Sequence, residues 1–142
     1  MTEQNLKNHS RYIPLWHFIT PLILLIILGG SIVNFIHADE HAHFTAATVL
    51  VISVVLIIFY WYIRAFALRA QDRAIRAEEN FRHFILTGKP LDKELRMGQI
   101  IALRFASDEE MPVLAKRAIA EKLSQKQVKQ AIKIWKADHY RV

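Results

Sequence analysis

With 142 residues the chain has room for one soluble domain, or for a small membrane module joined to a small helical domain. It is 53% hydrophobic and 23% charged, and the two kinds are segregated: apolar residues dominate from Ile13 to Ile63, whereas from Arg64 onward 17 Lys and Arg stand against 10 Asp and Glu. The basic tail favours anionic partners such as lipid head groups, nucleic acid or an acidic protein surface, and the absence of cysteine excludes disulfides, thiolate metal sites and cysteine nucleophiles.

Residues 1–12 read as a short tail. Residues 13–36 carry no formal charge and are long enough to cross a bilayer. The run is too long for the core of a signal peptide and no small-x-small site follows it, so it reads as a retained first span. Pro21 lies inside it, depriving the His17 carbonyl of its donor, and predicts a kink or a restart there. Pro14, near the start, costs little. Tyr12 and Trp16 suit an aromatic belt where the first span begins. Tyr60, Trp61 and Tyr62 suit the same belt where the second span ends, at the depth an antiparallel hairpin requires.

The connector, residues 37–43, contains His37, Asp39, Glu40, His41 and His43 but no Lys or Arg. Lys7 and Arg11 precede the first span; Arg64, Arg69, Arg73 and Arg76 follow the second. The positive-inside rule then puts both termini in the cytoplasm and the connector outside. Near that outer end, Gly29, Gly30, Ser31 and Asn34 are expected to pack against Thr45, Ala46, Ala47 and Thr48, with Asn34 bonded to a threonine.

From Phe44 to Leu86 there is no Gly or Pro. One continuous helix is predicted, with a second span over 44–63 and a basic amphipathic stem over 64–86, roughly 65 Å at 1.5 Å per residue. On the stem, Ala67, Ala70, Ala74, Ala77, Phe81 and Phe84 recur at steps of three and four, with Leu68, Ile75 and Ile85 widening the stripe on one side, and it is expected to face a partner helix. Asp72 with Arg76 and Glu78 with Arg82 are expected as exposed i,i+4 pairs. Thr87-Gly88-Lys89-Pro90 ends the helix.

Three shorter helices are predicted, over about 96–105, 108–122 and 125–137. The second and third open on capping boxes, Ser107 to Glu110 and Ser124 to Gln127. The last helix presents Val128, Ala131, Ile132 and Trp135 on its apolar face. The fold class is therefore all-α. A two-span transmembrane hairpin has its second helix extended into the cytoplasm, where it packs with a small C-terminal helical bundle in a domain spanning 64–142.

The stretches AFALRAQDRAIRAEEN (65–80), QIIALRFASDEE (99–110) and the closing ADHYRV (137–142) resemble an uncharacterised family of small bacterial membrane proteins with two spans and a cytoplasmic helical tail. The resemblance covers nearly the whole chain. It implies the bacterial inner membrane and this topology, and no activity, cofactor or site.

No Gly-rich phosphate loop, paired catalytic carboxylates or nucleophile–base arrangement appears, so no catalytic or cofactor-binding residue is assigned and an enzyme is not expected. His37 and His41, four apart, could share a helical face with metal ligands, but polar residues belong in such a turn anyway and no metal site is assigned. His17, His83 and His139 read as isolated histidines rather than ligands. Arg64, Arg69, Arg73 and Arg76 are expected to meet anionic lipid. The leading functional expectation is a structural or accessory membrane protein that docks on a larger complex or on further copies of itself. A membrane-tethered nucleic-acid binder using Lys126, Lys129, Lys133 and Lys136 is the alternative, and a metal- or pH-sensing turn at His37–His43 the weaker third.

Overall fold

The computed structural model describes Leu6 and residues 12–138. The rest of the tail assigned to 1–12, with Lys7 and Arg11, and the closing residues 139–142, with His139, lie outside the described residues. Among the described residues every regular element is a helix: α1 Thr20–His37, α2 His43–Thr87, α3 Met97–Leu103, α4 Met111–Ala120 and α5 Gln125–Ala131, with a π-helical turn Leu15–Ile19 ahead of α1. Two compact units divide the chain, one over Tyr12–Ala67 and one from Leu68 onward.

In the first unit, Pro21 sets the geometry. The chain runs in the π register up to Thr20, whose N–H reaches back to the Leu15 carbonyl, and the Thr20 hydroxyl donates to the same oxygen at 2.8 Å. Pro21 then falls in the first turn of α1, where the α-helix restarts. The π turn moves the deprived carbonyl one residue back from the expected position. In that register residue 21 would donate to Trp16 rather than His17, and proline has no proton to give. The Tyr60 hydroxyl supplies one, donating to the Trp16 carbonyl at 2.8 Å, and the two rings stack with centroids 4.6 Å apart. Of the aromatic residues expected at one level, Trp16 and Tyr60 thus meet directly.

At the other end, Asp39 turns the chain into α2. Its carboxylate accepts the Ala42 N–H at 2.9 Å and its carbonyl the His43 N–H at 3.0 Å. Between these ends α1 and α2 touch through Ser31 and Ser53, with hydroxyls 3.0 Å apart and residues 4% and 1% exposed. Of the residues expected at this contact, Ser31 and Ala46 are buried and the others differ. Gly29 and Gly30 face open space, Asn34 is exposed without a threonine partner, and Thr48 bonds back to the Phe44 carbonyl within its own helix. The two serines are small enough to let the helices close and carry their own hydrogen-bonding partners, so the contact forms there and buries Ala46 as well.

The second unit is built around Ile100, Leu103, Phe105, Met111 and Val128, all essentially inaccessible. Gln99 joins α3 to the end of α4. Its amide donates to the Ala118 and Leu123 carbonyls, each at 2.9 Å, and accepts the Arg96 N–H at 2.8 Å. α4 closes in a Schellman turn, with Leu123 N–H on the Ala118 carbonyl, Lys122 N–H on the Ile119 carbonyl and Lys122 at φ +51°. Ser124 and Gln127 form the expected reciprocal cap of α5. Ser107 caps only a turn (its hydroxyl accepts the Glu110 N–H), and regular helix begins at Met111 with Pro112 in its first turn.

Two expectations for this unit are corrected. α5 stops at Ala131 instead of running to about 137. The residues after it are extended and pair antiparallel with 105–107: Ser107 N–H donates to the Ile134 carbonyl at 3.2 Å and Lys136 N–H to the Phe105 carbonyl at 2.8 Å. The Glu110 carboxylate also takes the Lys133 and Ile134 N–H groups. These bonds satisfy loop backbone that a longer helix would leave bare. Trp135 still reaches the core, against Phe105 at 5.2 Å, from an extended segment. The stem also turns a different face inward: Ile75, Glu79 and His83 are buried, whereas Ala70, Ala74, Ala77, Phe81 and Phe84 are exposed.

Candidate functional site

On the inward face of the stem Ile75 joins the apolar core, and the polar residues beside it are buried through pairing. Arg82 is the hub. Its guanidinium contacts Glu79 at 3.0 Å, Asp108 at 2.6 Å and the Ala106 carbonyl at 2.7 Å, tying α2 to the loop before α4. The expected Glu78–Arg82 pair does not form, because Arg82 lies on the inner face and Glu78 is exposed. Burial pushes the Glu79 carboxyl above its ordinary range despite the opposing pull of Arg82, whereas the hydrogen bond from Arg82 holds Asp108 below its own. His83 Nδ1 lies 2.8 Å from the Lys89 carbonyl, and Asn80 accepts the Leu91 N–H at 2.8 Å, so the chain leaving α2 is fastened back to it. His83 is a structural residue here.

Beside Glu79 a recess of about 430 Å³ is lined by Gln71, Glu78, Glu79, Arg104, Lys136 and Asp138 among others. Arg104 pairs with Asp138 at 3.1 Å and lies over the Phe105 ring at 4.8 Å, with its Nε buried and unpartnered. The lining mixes both signs of charge, so it selects neither an anion nor a cation. Nothing in the sequence pattern marked this recess, because its residues come from three separated stretches.

The lysines of the nucleic-acid expectation do not share a helix. Lys126 and Lys129 are on α5, and Lys129 is half-buried with its ammonium 5.4 Å from the Phe105 ring centroid. Lys133 and Lys136 lie in the extended segment, where Lys136 approaches Asp108 at 3.8 Å. A recognition helix carrying all four is therefore absent from this fold.

In the connector His37, Asp39 and His43 have local partners. His37 Nδ1 contacts the Val33 carbonyl at 2.9 Å, His43 packs against Phe35 with ring centroids 5.0 Å apart, and Asp39 caps α2. Among the described residues no three His, Asp or Glu side chains converge as metal ligands would. His17 Nδ1 lies 3.0 Å from the Ile13 carbonyl, a contact within its own turn. Arg69, Arg73 and Arg76 are exposed and Arg64 half-buried along α2.

The protein is thus an all-α chain with two helices long and apolar enough to cross a membrane, followed by a small helical domain. It belongs to a family of unknown function, DUF6526, whose pattern it matches over residues 1–142. No curated protein and no solved structure matches it.

Proposed function

We propose that this is a bacterial inner-membrane protein of structural, non-catalytic role: a two-span hairpin anchors a cytoplasmic helical module that docks on a protein partner. One observation carries the reading. The apolar side chains of α1 and of the first half of α2 stay outside any core: Leu22, Leu25, Ile26, Val51, Ile52 and Phe59 are each more than half exposed. A water-soluble protein leaves no apolar surface of that extent uncovered, whereas hydrocarbon covers it without cost. The serine pair supports the same reading, since two buried hydroxyls in reach of each other and of the Leu28 and Leu50 carbonyls of their own helices suit a lipid-surrounded helix contact. Orientation rests on Arg64, Arg69, Arg73 and Arg76, which put the helical module on the cytoplasmic side, next to anionic lipid.

The cysteine-free chain suits a direct test. In whole cells, a His41→Cys variant is labelled by a membrane-impermeant maleimide, and a Gln130→Cys variant only after permeabilisation. The chain resists alkaline extraction from membranes. Release by alkali, or equal labelling of both positions in sealed cells, overturns the proposal.

A further inference from the structure

One face of α2 turned from its own domain is uncovered, with Ala74 and Glu78 on its edge at the recess beside Glu79. Ala70, Ala74, Ala77, Phe81 and Phe84 recur at alternating steps of four and three residues, roughly half a turn round the helix from Ile75, Glu79 and His83. Phe81 is 64% exposed, Phe84 51% and the adjoining Ile85 66%, so the face carries large apolar side chains as well as alanines. In a soluble compartment such a row requires a cover.

We propose that a second copy of this chain covers it, the two α2 stems lying parallel as a short coiled coil from Ala70 to Phe84. The flanks select this occupant. With Ala74 and Phe81 at a and Ala70, Ala77 and Phe84 at d, Arg73 falls at g and Glu78 at e. In a parallel pair the g residue of one helix faces the e residue five positions on in the other, so Arg73 meets Glu78 of the second copy twice, by symmetry. Both side chains are exposed and neither forms an ion pair among the described residues. The other flanking positions, Gln71, Asn80 and Ile85, carry no charge and bring no like-charge opposition. An antiparallel pair would set g against g and e against e and form no Arg–Glu contact. The parallel sense rests on the proposed function, because two copies anchored in one membrane enter the cytoplasm in the same direction. Alanines at the membrane-proximal end draw the helices close, and the phenylalanines fill the wider far end.

The test is oxidative cross-linking of the full chain in native membranes. Ala77→Cys yields a species of twice the chain mass, and Arg69→Cys and Arg76→Cys, on the outer flank, do not. Arg73→Glu or Glu78→Arg alone weakens dimerisation in mild detergent by about tenfold, and the double charge swap restores it. Phe81→Glu abolishes the dimer while leaving the helical content of the chain unchanged, because Phe81 touches little within its own copy. A cross-link from Ala77→Cys to a different protein, equal cross-linking all round the helix, or no rescue by the double swap overturns the pairing. Membrane insertion is read independently by alkaline extraction. An inserted chain without dimer overturns only the pairing, and an extracted chain overturns the anchoring whatever the cross-links show.

Discussion

The Tyr60 hydroxyl donates to the Trp16 carbonyl at 2.8 Å, filling the acceptor that Pro21 leaves open forty-odd residues away in the chain. A proline that interrupts one helix is thereby compensated by the other, and the π turn decides which carbonyl needs the proton. The same contact fixes the level at which α1 and α2 meet, because the two rings stack.

Tyr60→Phe keeps the stack and removes only the proton, stranding the Trp16 carbonyl at a cost of about 1–2 kcal/mol. Pro21→Ala restores a backbone donor to the same oxygen, so the loss shrinks when the two changes are combined. A double-mutant cycle on the full chain in detergent, followed by thermal unfolding, measures this coupling. Tyr62→Phe is the control, since Tyr62 is 55% exposed. Equal losses from Tyr60→Phe with and without Pro21→Ala refute the compensation.

Gln99 does for the second unit what Tyr60 does for the first. Both of its amide protons are spent on carbonyls that the Schellman turn of α4 leaves facing inward. Gln99→Leu fills the space but takes a donor from the Leu123 carbonyl and from the Ala118 carbonyl, which keeps the Leu123 N–H, and takes the acceptor from the Arg96 N–H, and is expected to cost about 1–3 kcal/mol. Gln99→Glu should be worse at neutral pH than at pH 4, because a carboxylate there faces two carbonyls with no proton to offer. Denaturant unfolding at the two pH values, followed by near-ultraviolet circular dichroism, tests it.

Much of this architecture was legible because it rests on local rules. An uninterrupted run without Gly or Pro gives the continuous α2, Ser124 and Gln127 announce α5, and the aromatic clusters at 12–16 and 60–62 announce a common level. The inward face of the stem was not legible. By apolar content the Ala70–Phe84 row outranks Ile75, Glu79, Arg82 and His83, and burial of the latter depends on acceptors at Asp108, Ala106 and Lys89 that helical spacing cannot reveal. The early end of α5 has the same origin, since the extended segment 133–136 is held by residues 105–110, more than twenty positions earlier. Ser31 stands among the small residues that mark the contact, but its partner Ser53 is a lone serine in an apolar run and carries no local signal.

Lys122 occupies the left-handed position that ends α4, with φ +51° and an exposed side chain. A Cβ is strained in that conformation and glycine is not. Lys122→Gly is therefore expected to stabilise the second unit by about 0.5–1 kcal/mol, against the usual sense of a glycine substitution, and Lys122→Val to destabilise it by at least as much. Paired thermal melts of the three full-length proteins decide the sign.

The Arg82 hub makes stability depend on pH in two opposite senses. Glu79 has a folded pKa raised by burial, so its contribution is full below the ordinary carboxylate value and is lost as pH rises through the folded one. Asp108 has a folded pKa lowered by the Arg82 hydrogen bond, so its contribution is present above the ordinary value and is lost as pH falls through the folded one. More than half of the Asp108 side chain is exposed and solvent screens its share, so Glu79 dominates as pH rises above the ordinary carboxylate range. Glu79→Gln should then gain stability relative to the parent as pH rises above that range. Arg82→Met removes the one cation in contact with the buried carboxylate and is expected to cost about 3 kcal/mol at pH 7.5, but less at pH 5, because the carboxyl raised by burial sheds its unpaired charge more readily as pH falls. Adding Glu79→Gln to Arg82→Met should recover part of that loss at pH 7.5 and little at pH 5. A cost from Arg82→Met that does not change with pH would mean that the stranded partner is not Glu79 but the Ala106 carbonyl, whose demand for a donor no titration alters.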